Sequence, residues 1–158
     1  MLRAARFASQ LNFEIAPEVI AAMKDMAQRL EIISAERIRD EITKLLMSPK
    51  PRTGITILVE TGLADIALPE IPKLRLEVDE HHHHKDVYEH SITVLEQAIE
   101  LEHRLGGPNL VIRLAALLHD IGKPKTRALL EGGGVSFHHH EVVGARLAKT
   151  RMKALRFS

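Results

Sequence analysis

The stretch Leu110-Val-Ile-Arg-Leu-Ala-Ala-Leu-Leu-His119-Asp120-Ile-Gly-Lys-Pro124 decides how this chain folds. Its first part is almost entirely apolar, which is typical of a helix buried nearly all round. Gly122 and Pro124 then break the helix, so that His119 and Asp120 lie at its end. An imidazole and a carboxylate are costly to bury unless both have partners. This pair is therefore the first candidate for a functional site.

A long helix is predicted immediately before this stretch, over residues 86–104, and Gly106-Gly107-Pro108 ends it. Because the turn is short, the two helices should pack antiparallel. His90, near the start of the first helix, would then come close to the end of the second. Neutral imidazole and carboxylate are both good ligands for a divalent cation. The pattern predicts a metal site formed by His90, His119 and Asp120.

The rest of the chain also has mostly helical patterns. Ser34 is a predicted N-cap, and Gly62 is a predicted C-cap. Helices are expected over residues 2–11, from Pro17 to Leu30, from Ser34 to Leu46, over 53–61 and over 140–154. Residues 129–137, with three glycines, predict a small β-hairpin. We expect an all-α fold: a helical bundle over residues 1–75, then a helical domain with one small β-hairpin over residues 76–158.

Composition narrows the function classes only partly. The chain of 158 residues has a formal net charge of +1, which points to no particular class of partner. It contains no cysteine, so disulfides, thiolate zinc sites and cysteine nucleophiles are excluded. No stretch approaches the roughly 20 apolar residues that span a bilayer. We expect a cytoplasmic protein that does not associate with a membrane.

The residues around the candidate pair match a known pattern. His90 and the run Leu117-Leu-His-Asp-Ile-Gly-Lys123 resemble the opening of the HD superfamily of metal-dependent phosphohydrolases. The resemblance implies a divalent ion (Mg, Mn, Ni or Zn) that is held by these residues and a more distant aspartate, and that activates a water for attack on a phosphoryl group. No aspartate follows Asp120. We therefore expect the last ligand to lie beyond Ser158 in a longer parent, and hydrolysis by this chain alone to be weak or absent.

The segment after the predicted hairpin extends the resemblance. The run Phe137-His-His-His-Glu-Val-Val-Gly-Ala145 resembles the HD domains of bacterial tRNA nucleotidyltransferases, the CCA-adding and poly(A) polymerase family. The resemblance makes His140 an additional metal ligand or a phosphate contact; the alternative is a histidine that only begins a helix. His84, in the run His84-Lys-Asp-Val-Tyr-Glu-His90 that looks actinobacterial, could line the cleft. His81 to His83 are expected in a solvated loop.

The front half resembles the neck and body of the same family. The runs that carry this are Arg3-Ala-Ala-Arg-Phe-Ala8, Glu36-Arg-Ile-Arg-Asp-Glu41 and Leu68-Pro-Glu-Ile71. The resemblance implies tRNA as the partner, with CTP or ATP bound only together with a head domain. No Asp-x-Asp pair for nucleotidyl transfer occurs in the sequence, so no catalytic residue for that reaction is assigned. We expect a C-terminal fragment, without the catalytic head, that contributes tRNA binding and an HD metal site.

Several cations are candidate phosphate or RNA contacts. They are Arg3, Arg6, Lys123, Arg146 and Arg151. For Arg3 and Arg6, the alternative is a solvated or helix-bridging side chain, and for Arg146 and Arg151 it is a solvated helix face. Two other functions remain open: a free-standing HD phosphohydrolase acting on phosphomonoesters or 2′,3′-cyclic phosphates, and a non-catalytic RNA-binding module. We also expect exposed apolar surface near residues 2–13 and 147–157, with some self-association through it.

Overall fold

The structure is a computed structural model that describes residues 1–75 and 86–157. Helices make up 69% of the molecule, together with one small two-stranded antiparallel sheet, so the all-α prediction is confirmed. His84 and the predicted loop at residues 81–83 lie outside the described residues. In the described part of the chain, no helix is both long and apolar enough to cross a membrane.

The front part of the chain is a bundle of short helices. They are α1 (Leu2–Leu11), α2 (Pro17–Asp25), a 3₁₀ helix (Ala27–Ile32), α3 (Ala35–Leu46), α4 (Pro51–Glu60), α5 (Ala64–Ala67) and a second 3₁₀ helix (Pro72–Leu74). The helix that begins at Pro17 is therefore α-helical only to Asp25, and it continues in the tighter 3₁₀ form. Ser34 occupies the N-cap position of α3, but its side chain makes no capping hydrogen bond. Gly62 follows α4 with a φ of 78°, the left-handed conformation expected of a glycine that ends a helix.

The rear part follows the predicted order of elements. It contains α6 (Val87–Leu101), a 3₁₀ helix (Glu102–Leu105), α7 (Leu110–Leu118), α8 (Lys123–Thr126), β1 (Ala128–Leu129), β2 (Val135–Ser136) and α9 (His140–Ala154). The side chains of Asp86 and Asn109 cap α6 and α7 by accepting hydrogen bonds from backbone N–H groups. The predicted hairpin is present, with Ala128 opposite Ser136. The last helix begins at His140, as predicted.

Helix α7 differs from the prediction of a helix buried nearly all round. Leu117 is fully buried, but Val111 is 74% exposed and Ala115 is also exposed. The reason is that α7 packs on α6 with one face, while its other face borders an apolar groove of about 820 Å³ shared with α9. Apolar surface is thus exposed beside residues 147–157, and near residues 2–13 it is exposed at Leu11 and Phe13.

Within the front bundle, α1 and α4 approach closely through two small residues. The backbone N–H of Gly54 donates a hydrogen bond of 2.7 Å to Ser9 Oγ. A Cβ atom at Gly54 would overlap Ser9 and the Leu45 side chain, so only glycine permits this distance between the helices. The buried apolar cluster continues from the front bundle into α6 and α7, through Leu46, Ile92 and others. The division between residues 75 and 76 stays a prediction.

Three arginines connect the rear helices to the front bundle. Arg52 of α4 pairs with Glu96 of α6 at 2.7 Å. Arg113 of α7 donates hydrogen bonds to backbone carbonyls at the end of α3 and beyond it. Arg151 of α9 pairs with Glu70 at 3.0 Å. The helices that carry the candidate metal residues are therefore each held against the front of the molecule.

Candidate metal centre

The packing of α6 against α7 brings together the histidines that the sequence placed far apart. His90 lies in the first turns of α6, and His119 is the C-cap residue of α7. Their ring centroids are 5.3 Å apart and the rings are inclined by 69°. The predicted approach of the start of one helix to the end of the other is therefore observed.

Asp120 supplies the third group of the cluster. The residue is only 2% exposed, and its Oδ2 atom lies 3.2 Å from His119 Nε2 and 3.8 Å from His90 Nε2. One ligand atom from each of the three residues lies within 4.8 Å of the others. The two imidazoles are partly exposed, with side-chain exposures of 43% for His90 and 34% for His119. The cluster thus has a buried carboxylate at its base and an open side toward solvent.

The hydrogen bonds of two histidines determine which ring nitrogen faces the carboxylate. His119 Nδ1 lies 2.8 Å from the carbonyl oxygen of Ala116, and His140 Nδ1 lies 2.8 Å from that of Phe137. Because a carbonyl oxygen can only accept, each Nδ1 must be the donor. In the neutral ring, Nε2 then keeps its lone pair and points at Asp120. An anchored Nδ1–H is the usual way in which a protein orients a metal-binding imidazole.

The donor set fits a divalent cation. Nitrogen ligands lie about 2.1 Å from zinc, so two ligands of a tetrahedral ion are about 3.4 Å apart. The distances of 3.2 Å and 3.8 Å from Asp120 Oδ2 to the two imidazole nitrogens bracket that value. His90, His119 and Asp120 could therefore hold one ion with little movement.

Two further groups contact the same carboxylate. His140 Nε2 lies 3.6 Å from Asp120 Oδ1, the oxygen opposite the one that faces the other two histidines. Lys123 Nζ donates a hydrogen bond of 2.7 Å to Oδ2 and lies 5.7 Å from the centre of the Phe137 ring. The three-residue cluster does not include His140, so its role as an additional ligand or a phosphate contact stays a prediction.

A pair of glycines, Gly122 and Gly144, brings His140 to this position, a packing role that the sequence patterns did not predict. A Cβ atom on Gly122 would overlap the His140 carbonyl oxygen and would lie 2.7 Å from Gly144 N. Gly144 lies inside α9, where glycine is unfavourable by roughly 1 kcal/mol relative to alanine, and it is buried. The sequence did contain a signal for this contact. Gly144 lies inside a predicted helix, and Gly122 directly follows His119-Asp120-Ile121.

The two predicted phosphate-binding arginines at the start of the chain differ in their surroundings. Arg3 is 72% exposed, and the carboxylate of Glu41 is 3.9 Å away from it, which is a long distance for an ion pair. Arg6 is 12% exposed and donates hydrogen bonds to Glu41 at 2.6 Å and to Gln10 at 2.8 Å. Arg6 thus bridges α1 and α3, the helix-bridging alternative, whereas Arg3 is accessible to a ligand.

The predicted phosphate contacts of the rear part also separate into two kinds. Arg151 pairs with Glu70 and is 20% exposed, so it bridges α9 to the front bundle. Arg146 is exposed on the outer side of α9. Lys123 is 22% exposed and adjoins the three-residue cluster through its hydrogen bond to Asp120. For all five cations, a role in phosphate or RNA binding stays a prediction.

Comparison with known proteins assigns two successive regions of the chain. Residues 12–74 match the family described as "Probable RNA and SrmB- binding site of polymerase A". Residues 87–157, which include the whole cluster, match the HD domain family. An HD domain implies the use of a divalent metal.

Relatives with known names align over most of the chain. An A-adding tRNA nucleotidyltransferase of Deinococcus radiodurans is 39% identical over 96% of this chain and 36% of its own length. A multifunctional CCA protein of Neisseria gonorrhoeae is 38% identical over 80% of the chain and 30% of its own length. One of Azoarcus sp. is 36% identical over 98% of the chain and 37% of its own length.

The chain spans about a third of the length of these relatives. The two matched regions follow each other in the order that the sequence resemblance implied, first the RNA-binding region and then the HD domain. The chain therefore belongs to the family of the CCA-adding tRNA nucleotidyltransferases, of which it carries the RNA-binding region followed by the HD domain.

Proposed function

We propose that this chain binds tRNA through its front helices and holds a divalent metal ion at His90, His119 and Asp120. It would do so as the RNA-binding and HD part of an enzyme that adds nucleotides to the 3′ end of tRNA. The observation that carries the proposal is the convergence of two imidazole nitrogens and one buried carboxylate oxygen within 4.8 Å. A buried carboxylate facing two Nε2 atoms is an arrangement that a divalent cation explains well.

The side chains of the cluster would have distinct tasks. Asp120 and the two histidines would bind the ion, and imidazole donors favour Zn or Ni over Mg. When bound, a divalent ion lowers the pKa of a water molecule so that it can attack a phosphoryl group. The partly exposed rings of His90 and His119 leave the cluster open to a phosphate group from solvent. His140 could donate a hydrogen bond to such a group when its ring is protonated.

A basic groove in the front bundle supports tRNA binding. Its volume is about 580 Å³, and Arg3, Arg29, Arg37 and Lys44 line it. The groove also contains Asp40 and Glu41, but their carboxylates are paired with Arg39 and Arg6.

Arg29, Arg37 and Lys44 have no ion-pair partner among residues 1–75 and 86–157. Their positive charge is therefore available for the phosphates of an RNA backbone.

Metal content tests the first half of the proposal. After dialysis against trace Zn²⁺, Ni²⁺ or Mn²⁺, the chain should retain about one ion, measured by elemental analysis. The variants His119→Ala and Asp120→Ala should lose it, because each removes one of the converging ligands. His103→Ala removes an exposed histidine outside the cluster and should retain the ion. Equal metal content in all four proteins would refute the assignment.

Salt dependence tests the second half. The affinity for tRNA, followed by fluorescence anisotropy between 50 and 200 mM salt, should fall steeply with salt. The double variant Arg37→Gln/Lys44→Gln should reduce the slope of log K against log salt by roughly 1.5, since each phosphate contact contributes about 0.7–0.9. Lys24→Gln, on the exposed side of α2, is the matched control and should leave the slope unchanged. Binding that does not respond to salt would contradict a phosphate-contacting mode.

A free-standing phosphohydrolase is the second candidate. It is favoured by Lys123 and His140, which approach opposite oxygens of Asp120 and place an ammonium and an imidazole beside the cluster. The metal-loaded chain would then hydrolyse a phosphomonoester or a 2′,3′-cyclic nucleotide, and Asp120→Ala would not. If the chain binds metal but hydrolyses neither substrate, it acts as a non-catalytic binding module. We expect no nucleotide incorporation into tRNA by this chain alone, because its sequence contains no Asp-x-Asp pair.

A further inference from the structure

The Oδ2 atom of Asp120 has two kinds of partner. It faces the Nε2 atoms of His119 and His90, and it also accepts a hydrogen bond of 2.7 Å from the ammonium of Lys123. We propose that Lys123 is an internal counter-cation that competes with the divalent ion for this oxygen and so sets the affinity of the site for metal. The inference rests on the proposed metal site.

The position of Lys123 is fixed by the fold. Its backbone N–H donates a hydrogen bond of 3.0 Å to the Asp120 carbonyl, which begins the short helix α8. Its side chain is 22% exposed, and the ammonium lies 5.7 Å from the centre of the Phe137 ring. A surface lysine would have several rotamers in solvent, whereas this one is directed at a buried carboxylate.

The carboxylate needs a positive partner even without a metal ion. The Asp120 side chain is 3% exposed, and a buried negative charge is unfavourable unless a cation or hydrogen-bond donors compensate it. The ammonium of Lys123 provides that charge. The fold of the cluster therefore does not depend on a bound ion to neutralise Asp120.

The same ammonium must oppose metal binding. A ligated ion lies about 2 Å from a carboxylate oxygen. Since Nζ lies 2.7 Å from that oxygen, the two cations would be no more than about 5 Å apart and would repel each other. Binding of a divalent ion then requires the lysine to move away or to remain at a cost. Either event lowers the affinity relative to a site without the lysine.

This competition predicts that one substitution lowers the stability of the metal-free protein and raises its affinity for metal. Lys123→Met removes the charge and keeps a similar side-chain length. The metal-free variant should melt at a lower temperature than the parent, because Asp120 loses its counter-charge. Its dissociation constant for Mn²⁺ or Zn²⁺, measured by titration calorimetry, should be at least tenfold lower. Its melting temperature should also rise more on metal addition.

Two variants control for charge and for folding. Lys125→Met removes a charge from an exposed position on the same short helix and should change neither quantity. Lys123→Gln keeps a hydrogen-bond donor for Asp120 without the charge. It should fold even if Lys123→Met does not, and it should also bind metal more tightly than the parent. Equal or weaker metal binding by Lys123→Gln or a folded Lys123→Met would overturn the inference.

The outcomes separate this inference from the proposed metal site. If the parent binds metal, loses it in His119→Ala, and shows no gain in either Lys123 variant, only the competition is wrong. If neither the parent nor a Lys123 variant binds metal, the metal site itself is wrong, and the competition falls with it.

Discussion

The guanidinium of Arg113 and the carboxylate of Glu102 form two parallel hydrogen bonds of 2.7 Å in the interior of the molecule. The side chains are 4% and 5% exposed. The third guanidinium nitrogen donates to the carbonyl oxygens of Leu46 and Ser48 at 2.5 and 2.9 Å. Arg113 lies less than two helical turns before His119 on α7. The pair thus fixes α7, the helix that ends at His119, against the end of α3.

Replacing Arg113 should be strongly destabilising. Arg113→Met would leave Glu102 buried without its cation and two carbonyls without their donor, at a cost of about 3–5 kcal/mol in the free energy of unfolding. Urea denaturation at pH 7 measures this change. Arg104→Met, at an exposed neighbouring position, should shift the free energy by less than about 0.5 kcal/mol. If Arg113→Met lost no more free energy of unfolding than Arg104→Met, water would have to replace the guanidinium as the partner of Glu102.

The pair also predicts an acid-sensitive fold. The hydrogen bonds from Arg113 lower the pKa of Glu102 below its ordinary value of 4.5, although burial opposes them. A carboxyl whose pKa is lower in the folded state stabilises the fold fully above pH 4.5, and this stabilisation is lost as the pH falls through the folded pKa. The melting temperature should therefore fall more steeply below about pH 4.5 than between pH 7 and 5.

A substitution at Glu102 isolates its share of the acid transition. Glu102→Gln should be less stable at pH 7, since Arg113 becomes a buried unpaired cation, but its stability should vary less with pH in the acid range. Glu100→Gln, an exposed neighbour, should keep the parental pH profile. Parallel acid profiles for the parent and Glu102→Gln would assign the transition to other carboxyls.

The sequence was sufficient for the parts of the fold that depend on local patterns. Apolar periodicity and the Gly106-Gly107-Pro108 break placed α6 and α7, and their antiparallel packing followed from the short turn. That packing accounts for the approach of His90 to His119. The three glycines before Val135 indicated the hairpin. These features need only neighbouring residues, and their prediction required no knowledge of distant contacts.

Features that depend on distant partners were not predicted. Arg113 interrupts an apolar run, and nothing local shows that it is buried by Glu102 and by carbonyls more than 60 residues earlier in the chain. The partial exposure of α7 depends on where α9 lies. The distance from His140 to Asp120 depends on the Gly122–Gly144 contact. In each case the deciding neighbour is far away in sequence.

The more exposed arginine bridge should matter much less for stability. Arg52 donates to Glu96 and to Glu89 at 2.7 Å, and it lowers the pKa of Glu96, but all three side chains are 35–55% exposed. Arg52→Met should cost only about 0.5–1 kcal/mol. The difference from the parent should shrink at 1 M salt, where the screening length is about 3 Å. A salt-independent loss would indicate that the aliphatic part of Arg52 is what stabilises the contact.

At the α1–α4 contact, the substitution Gly54→Ala has two opposing effects on the free energy of unfolding. Gly54→Ala gains roughly 1 kcal/mol of helix propensity, which favours the variant. The added Cβ atom would overlap Ser9 Oγ and lie 2.6 Å from Leu45 Cδ1, so the helices must separate. We expect a net loss of about 1–3 kcal/mol by urea denaturation, because overpacking usually outweighs propensity. The double variant Ser9→Ala/Gly54→Ala, which removes one of the overlapping atoms, should recover part of the loss. If the double variant recovers no stability, the overlap with the Leu45 side chain is the source of the strain.

The Gly122–Gly144 contact should connect backbone packing to metal affinity. Gly122→Ala would drive its Cβ into the His140 carbonyl oxygen, and a backbone atom cannot move aside as a flexible side chain can. We expect a loss of several kcal/mol, since α9 must shift as a unit. Gly144→Ala meets its closest neighbour at 3.3 Å and should have a small effect. Gly134→Ala meets only the Leu130 side chain, at 3.4 Å, and should be nearly neutral.

Metal titration of the same three variants tests the role of His140. If the Nε2 atom of His140 contributes to the site, Gly122→Ala should weaken metal binding more than its loss of stability explains, because the shift of α9 moves His140 from Asp120 Oδ1. Gly134→Ala should keep the parental affinity. If a folded Gly122→Ala binds metal as tightly as the parent, then His90, His119 and Asp120 alone determine the affinity, and His140 serves only to begin α9.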